Sequence, residues 1–207
     1  MGAIITLTDA QGGDRVDTAL AAGVSPRSYG GRMRPPPSLP VPVGLVTCRA
    51  LTAYDREARD VLTGLKNRGE RAWVATLGAQ LAELAPEVDG LVVTWAPTGA
   101  GRRRRRGFDQ AELLARAVAR RLGAPTMGLL RRRPGPAQAG RSLADRRANP
   151  RFEARDRCAR PVLVIDDVAT TGATLTAASE ALRAAGVPEV HGLVVARAPR
   201  PGTDYGP

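Results

Sequence analysis

The sequence contains little cysteine, and its first 42 residues contain none. Cys48 and Cys158 stand alone, without a Cys-x-x-Cys pair, which excludes a zinc ribbon and a disulfide framework. No segment approaches the ~18 consecutive apolar residues of a membrane span, and the chain does not open with a basic stretch followed by an apolar one. We therefore expect free thiols, no membrane insertion and a soluble protein of the cytoplasm.

Lysine and aromatic residues are also scarce. Lys66 is the only lysine, so the net charge of +11 comes almost wholly from arginine, which binds phosphate and carboxylate through a planar, bidentate group. Aromatic residues make up 3% of the chain, too few for the stacking surfaces of many single-strand-binding proteins. The absence of Gly-Lys-Ser/Thr excludes a Walker-type loop. Any binding of nucleic acid would rest on arginine and phosphate, and would depend strongly on salt.

The pattern of apolar residues divides the chain into a tail and one domain. Residues 1–42 are rich in Gly, Pro and small polar residues and lack periodicity, which predicts a flexible or irregular tail. Over residues 43–200, apolar strands alternate with helices, which predicts an α/β, doubly wound, mostly parallel sheet. We expect an Arg/Gly loop at 97–107 and a long polar stretch at 131–149. The predicted strands are 43–54, 90–96, 125–130, 162–166 and 189–197, and the predicted helices are 55–69, 71–85, 108–123 and 174–186. The short segment 151–154 is assigned to neither.

The segment "VLVIDDVATTGAT", Val162–Thr174, carries the clearest chemical signal. Ligands of open parallel sheets bind at the carboxyl ends of the strands, where Asp166 and Asp167 lie. The small and hydroxylated residues that follow can turn their amides toward an anion at the start of the next helix. Because phosphate repels carboxylates, the two acids are expected to bind sugar hydroxyls, directly or through hydrated Mg²⁺. A ligand that carries a phosphate at one end of a sugar and two neighbouring hydroxyls at the other is a ribose 5-phosphate.

A helix cap and a receiver-domain pocket account for this segment less well. A helix cap needs one threonine, and three follow here in close succession. A receiver-domain pocket also places acids after a strand, but it needs a lysine after a later strand, and Lys66 lies far upstream.

From Val162 to Thr174 the order of residues resembles the phosphoribosyl pyrophosphate (PRPP) motif of the type I phosphoribosyltransferases at every position. The segments "RRGFDQAELLARAVARRLG", "LLRRRPGPAQAGRSLADRRAN" and "LTGLKNRGERAW" resemble the ComF competence-protein family, whose members carry an Arg-Gly-Phe-Asn/Asp-Gln element. The resemblance implies a type I phosphoribosyltransferase fold that binds PRPP with Mg²⁺, the metal being held mainly by the ligand. The implied PRPP-binding residues are Asp166, Asp167, Val168, Ala169, Thr170, Thr171, Gly172, Ala173 and Thr174.

The resemblance implies three further groups of residues. In the family signature we expect Phe108 to pack the helix start on the sheet, Asp109 to cap that helix, and Arg106 and Gln110 to face the site. No residue is assigned a catalytic role, since the implied reaction needs no covalent intermediate. The groups are a pyrophosphate loop (Pro97, Thr98, Gly99, Ala100, Arg102, Arg103), the signature (Arg106, Gly107, Phe108, Gln110) and a hood loop (Gln138, Arg146, Arg147, Asn149).

Two functions stay open. The first is an enzyme that transfers ribose 5-phosphate from PRPP to an unknown acceptor base and releases pyrophosphate. The second is a non-catalytic competence, DNA-uptake or repair protein that binds single-stranded DNA or a helicase-type protein partner, its PRPP site acting as a sensor or lying idle. The sequence does not give the oligomeric state, so a homodimer stays open, and His191 is expected at the surface.

The start of the chain departs from the family pattern. ComF relatives generally begin with a cysteine-rich zinc ribbon, whereas residues 1–42 hold no cysteine, so zinc is not predicted. Either this member has lost the module, or the sequence does not begin at its natural start.

Overall fold

The computed structural model describes residues 36, 40–65, 72–133 and 150–198. The predicted hood residues Gln138, Arg146, Arg147 and Asn149 lie outside these ranges, as does the predicted tail apart from residues 36 and 40–42. None of the helices in the described ranges has the length and hydropathy that a membrane-spanning segment requires. The elements are β1 (Thr47–Ala53), α1 (Arg56–Gly64), α2 (Ala72–Ala82), β2 (Val92–Trp95), α3 (Ala100–Arg106), α4 (Gln110–Leu122), β3 (Leu130–Arg133), β4 (Arg151–Ala154), β5 (Val162–Ala169), α5 (Ala173–Ala184) and β6 (Val190–Arg197).

Four parallel strands in the order β1-β6-β5-β2 form the main sheet of the described residues. The register places Asp166 of β5 opposite Val194 of β6, and Ile165 opposite Trp95, the last residue of β2. The carboxyl ends of β2, β5 and β6 therefore meet at one edge of the sheet. β5 and β6 are apolar over most of their length because both faces of the sheet are covered.

Helices and a β-hairpin form the layers on the two faces. On one face of the sheet lie α1, α2 and α4. There Leu77, Leu81 and Leu114 of the helices pack in one cluster with Leu163 and Ile165 of β5. On the other face, α5 and the antiparallel pair β3–β4 bury a second cluster that includes Val162 and Val164. Alternate residues of β5 thus belong to opposite layers, as the pleat of a strand requires. The predicted α/β, doubly wound fold is confirmed.

Two local predictions are wrong. The expected Arg/Gly loop contains α3, because alanine and arginine favour helix, and the helix ends at Gly107, whose φ of 79° suits a left-handed cap. The predicted strand at 125–130 is reduced to a single bridge between Thr126 and Val93, and the strand proper begins at Leu130. A proline and a glycine within 125–130 weaken strand formation there.

The expectation for His191 is also wrong, since this residue is only 2% exposed. It lies near the start of β6, between Thr47 of β1 and Leu163 of β5, so it is covered by neighbouring strands. Its Nδ1 lies 3.0 Å from the Thr47 hydroxyl. Burial lowers the pKa of His191, which favours the neutral ring.

Candidate functional site

Two acidic residues lie close to the carboxyl end of β5. Asp166 is 9% exposed, and one of its carboxylate oxygens accepts a hydrogen bond from the Asp167 amide at 2.8 Å. Asp167 in turn accepts a hydrogen bond from the Val168 amide at 2.8 Å. Burial, and after it the adjacent charge of Asp167, raise the pKa of Asp166 well above its ordinary value. A cation or a set of hydroxyl donors would relieve this repulsion.

The turn after β5 presents unbonded backbone amides. Within the described residues, no protein group accepts a hydrogen bond from the amides of Thr170, Thr171, Gly172 or Thr174. Gly172 has a φ of 79° and directly precedes α5, a helix of 12 residues whose dipole is positive at this end. The amide of Ala173 is engaged by the Thr171 hydroxyl at 3.3 Å. The turn therefore has the donors and the electrostatic field that bind an anion such as phosphate.

The segment just before β1 passes close to this turn. A Cβ built on Gly172 would lie 2.9 Å from the Cγ atom of Pro42, so the backbone approaches the proline closely. Arg197, at the end of β6 and only 8% exposed, donates from Nη2 to the Pro40 carbonyl at 2.6 Å. The proline-rich composition predicted only irregular chain, so these contacts of Pro40 and Pro42 were missed.

The predicted pyrophosphate loop begins beside β5, because the Ala96 amide donates to the Ile165 carbonyl at 3.0 Å. Asp109 holds this loop: its Oδ2 accepts a hydrogen bond from the Thr98 amide at 2.7 Å, and its Oδ1 one from the Ala111 amide at 3.2 Å. Asp109 is 3% exposed, and burial raises its pKa. The predicted cap of α4 is therefore present, whereas the bond to Thr98 was not foreseen.

The family signature is engaged in contacts within the fold. Gln110 is 6% exposed; its Nε2 donates to the Leu62 carbonyl at 3.1 Å, and its Oε1 accepts from Arg106 at 2.9 Å. The first contact connects α4 to α1, and the second connects it to the last residue of α3. Gly107 ends α3, and Phe108 is half-buried. In this arrangement Gln110 connects helices, and both polar ends of its amide are used within the protein.

The sequence interpretation missed Arg132 of β3. This side chain is half-buried, and the charges of Arg102, Asp166 and Asp109 all act on it. Burial, and after it the charge of Arg102, lower the pKa of Arg132. The signal in the sequence was the strand alternation in "LRRR", which separates Arg132 from its two arginine neighbours.

Asp166 and Asp167 suit a cation that takes most of its ligands from water and from a bound phosphate. The described residues contain no group of three or more His, Cys, Asp or Glu side chains that could hold a metal. Mg²⁺ typically binds through one or two carboxylates together with water and substrate phosphates. The donor set therefore fits Mg²⁺ that arrives with a phosphorylated ligand.

Residues 109–204 match the family model of the phosphoribosyl transferase domain. This part of the chain is thus similar to phosphoribosyl transferase domains, in keeping with the parallel sheet and the motif at the end of β5. Competence protein F of Haemophilus influenzae is 36% identical over 102 residues, which are 45% of this chain and 44% of that protein. The aligned part therefore spans less than half of the relative's length. The predicted resemblance to phosphoribosyltransferases and ComF proteins is confirmed.

Two solved structures are also similar to this chain. Glutamine PRPP amidotransferase from B. subtilis has 21% identity and a TM-score of 0.43, over 60% of this chain and 26% of that one. Orotate phosphoribosyltransferase from Aeropyrum pernix has 23% identity and a TM-score of 0.37, over 67% of this chain and 64% of that one.

Proposed function

We propose that this protein binds PRPP with Mg²⁺ and transfers its ribose 5-phosphate to an acceptor base, with release of pyrophosphate. The observation that supports this best is the pairing of two features at one edge of the sheet. One is a set of unbonded amides at the start of α5, and the other is the pair of adjacent acids Asp166, which is buried, and Asp167, which is partly buried. The amides can bind an anion and the acids can bind hydroxyl groups, and a ribose 5-phosphate carries these groups at its two ends. Both free cysteines fit a reducing cytoplasm, where we place this activity.

The proposed roles follow from the chemistry of each group. The amides and hydroxyls of Thr170–Thr174 bind the 5-phosphate, and Asp166 and Asp167 accept hydrogen bonds from the ribose hydroxyls. The segment Pro97–Arg103, which includes the first turn of α3, binds the pyrophosphate, which leaves as the bond to ribose C1 breaks and the acceptor nitrogen bonds to that carbon. Mg²⁺, when bound, neutralises charge on the pyrophosphate. Fixed donors that meet this charge as it develops lower the barrier.

Calorimetric titration of Mg-PRPP into the wild type and into Asp166→Asn plus Asp167→Asn tests the proposal. We expect saturable binding by the wild type and a loss of at least about tenfold in the variant, which corresponds to about 1.4 kcal/mol. The matched control is Glu57→Gln plus Asp60→Asn, which removes two exposed acids from α1 and should bind as the wild type does. A folded wild type that fails to bind Mg-PRPP would contradict the proposal.

Turnover is tested separately from binding. The wild type with Mg-PRPP is incubated with single purine and pyrimidine bases, and released pyrophosphate is measured. Release that requires one base identifies the acceptor. If the protein binds PRPP and no base gives release, the binding part of the proposal stands and the transfer part fails.

A second candidate function, binding of single-stranded DNA, is favoured by the surface of α3. Arg102, Arg104 and Arg105 are exposed and form no ion pair within the described residues, while Arg103 lies 3.6 Å from Glu112. Binding should weaken steeply with salt, since it depends on phosphate contacts. Fluorescence anisotropy should show weaker binding when Arg104 and Arg105 are both changed to Gln, and unchanged binding when Asp166 and Asp167 are changed to Asn. No binding by the wild type near physiological salt would exclude this function.

A further inference from the structure

The three arginines of β3 have different surroundings. Arg131 and Arg133 are exposed, and each approaches Glu153 of β4 to 2.6 Å. These two contacts lower the pKa of Glu153 to about 2. The charges of Arg131 and Arg133 are therefore balanced within the hairpin itself.

Arg132 lies on the opposite face of the strand, as the alternation of side chains requires. Its register partner is Phe152, and its guanidinium carbon lies 5.8 Å from the centre of that ring. Phe152 packs in turn against the core cluster on the α5 side of the sheet. Contact with an aromatic face holds a guanidinium in place while its N–H groups stay available for a ligand.

No carboxylate of the described residues forms an ion pair with Arg132. Leu130, two residues earlier on the same face of β3, shares a core cluster with Ala96, which follows β2, and Ala169, which ends β5, so Arg132 lies near the carboxyl ends of these strands. The charge of Arg102 repels its guanidinium and the charge of Asp166 attracts it. Arg132 and Arg102 thus belong to separate elements, and their charges act on each other near the edge of the sheet that carries Asp166. Like charges held in this way repel each other unless an anion lies between them.

We propose that Arg132 binds the diphosphate of the ligand together with Arg102, with Phe152 as its positioning residue. This inference rests on the proposed function, since it assigns part of the same ligand to the hairpin. A diphosphate next to Asp166 and Asp167 needs cationic groups of this kind, because the acids repel it. Two arginines approaching from different elements supply bidentate donors on separate sides.

The test uses the full-length protein and three ligands, each titrated calorimetrically with Mg²⁺: inorganic pyrophosphate, PRPP and ribose 5-phosphate. We expect Arg132→Ala to weaken binding of pyrophosphate and PRPP at least tenfold while changing binding of ribose 5-phosphate less than twofold. Arg131→Ala is the matched control, since it removes the neighbouring arginine on the other face of β3. It should bind all three ligands as the wild type does.

Arg132→Met covers the case in which Arg132→Ala does not fold, because methionine keeps an apolar stem over Phe152 and removes only the charge. Equal losses for all three ligands, or unchanged binding of pyrophosphate, would overturn the inference. A wild type that binds pyrophosphate through Arg132 but not PRPP would refute the proposed function and leave the role of Arg132 intact. A wild type that binds neither would refute both.

Discussion

At the scale of single residues, Asp166 shows how the site opposes the stability of the fold. It is 9% exposed and adjacent to a second acid, so its charged form is disfavoured in the folded protein. A carboxyl group whose pKa is raised by folding stabilises the folded state below its ordinary pKa of about 3.9. That contribution is lost as the pH rises through the raised pKa. At neutral pH the ligand-free protein is therefore less stable than its packing alone would make it.

Replacing Asp166 by Asn should stabilise the ligand-free protein at pH 7.5. The Asn side-chain oxygen can still accept the hydrogen bond from the Asp167 amide, while the repulsion between the two charges disappears. We expect a gain on the order of 1 kcal/mol, which raises the Tm by roughly 2–4 °C for a chain of this size. Thermal unfolding followed by circular dichroism at pH 4, 6 and 7.5 measures it.

The gain should shrink toward pH 4, where the wild-type carboxyl is protonated as well. Asp60→Asn, on the exposed side of α1, should give no comparable gain at any pH. A loss of stability of equal size at every pH would show that Asp166 acts through packing rather than through charge.

At the scale of elements, the close contact of α2 and α4 depends on one glycine. A Cβ built on Gly78 would overlap the Ala117 Cβ and would lie 3.1 Å from the Ala117 carbonyl carbon. The two helices therefore approach each other at a point where neither carries more than a methyl group. This contact fixes the position of α4, whose first turn carries Asp109 and Gln110.

Gly78→Ala should destabilise the protein by about 1–3 kcal/mol, because the added methyl group overlaps Ala117. Urea denaturation of the single variant and of Gly78→Ala plus Ala117→Gly measures the effect, and the double variant should show a coupling of about 0.5 kcal/mol or more. The control is Gly101→Ala in α3, where no atom lies within 4 Å of the added methyl group. That change should be neutral or stabilising, since alanine favours helix.

At the scale of the whole molecule, the features that could be predicted from the sequence are those set by residues close together in the chain. The alternation of apolar strands and helices over residues 43–200 predicted the fold class. The apolar strand of β5, its acid pair and the turn after it occupy consecutive residues, so the candidate site was predicted from one segment. The match to phosphoribosyl transferase domains and to a competence protein agrees with that prediction.

What the sequence did not predict depends on contacts between distant segments. The bond from Thr98 to Asp109, the position of Pro42 on Gly172 and the burial of His191 each arise from packing of separate elements. The helix α3 was missed for a different reason: its arginines suggested a loop, although their helix propensity is high. Residue types indicate which groups can bind a ligand, whereas only the topology shows which of them meet.

The strand order also bears on how the protein is synthesised. In the described sheet β1 pairs only with β6, whose last residue is Arg197, so β1, the first of the described strands to be synthesised, has no neighbour among them until the other strands have been translated. Until then β1 presents its backbone and apolar side chains to other chains or to chaperones. The nascent chain is therefore expected to need protection until β6 emerges, and the domain to fold only after that point.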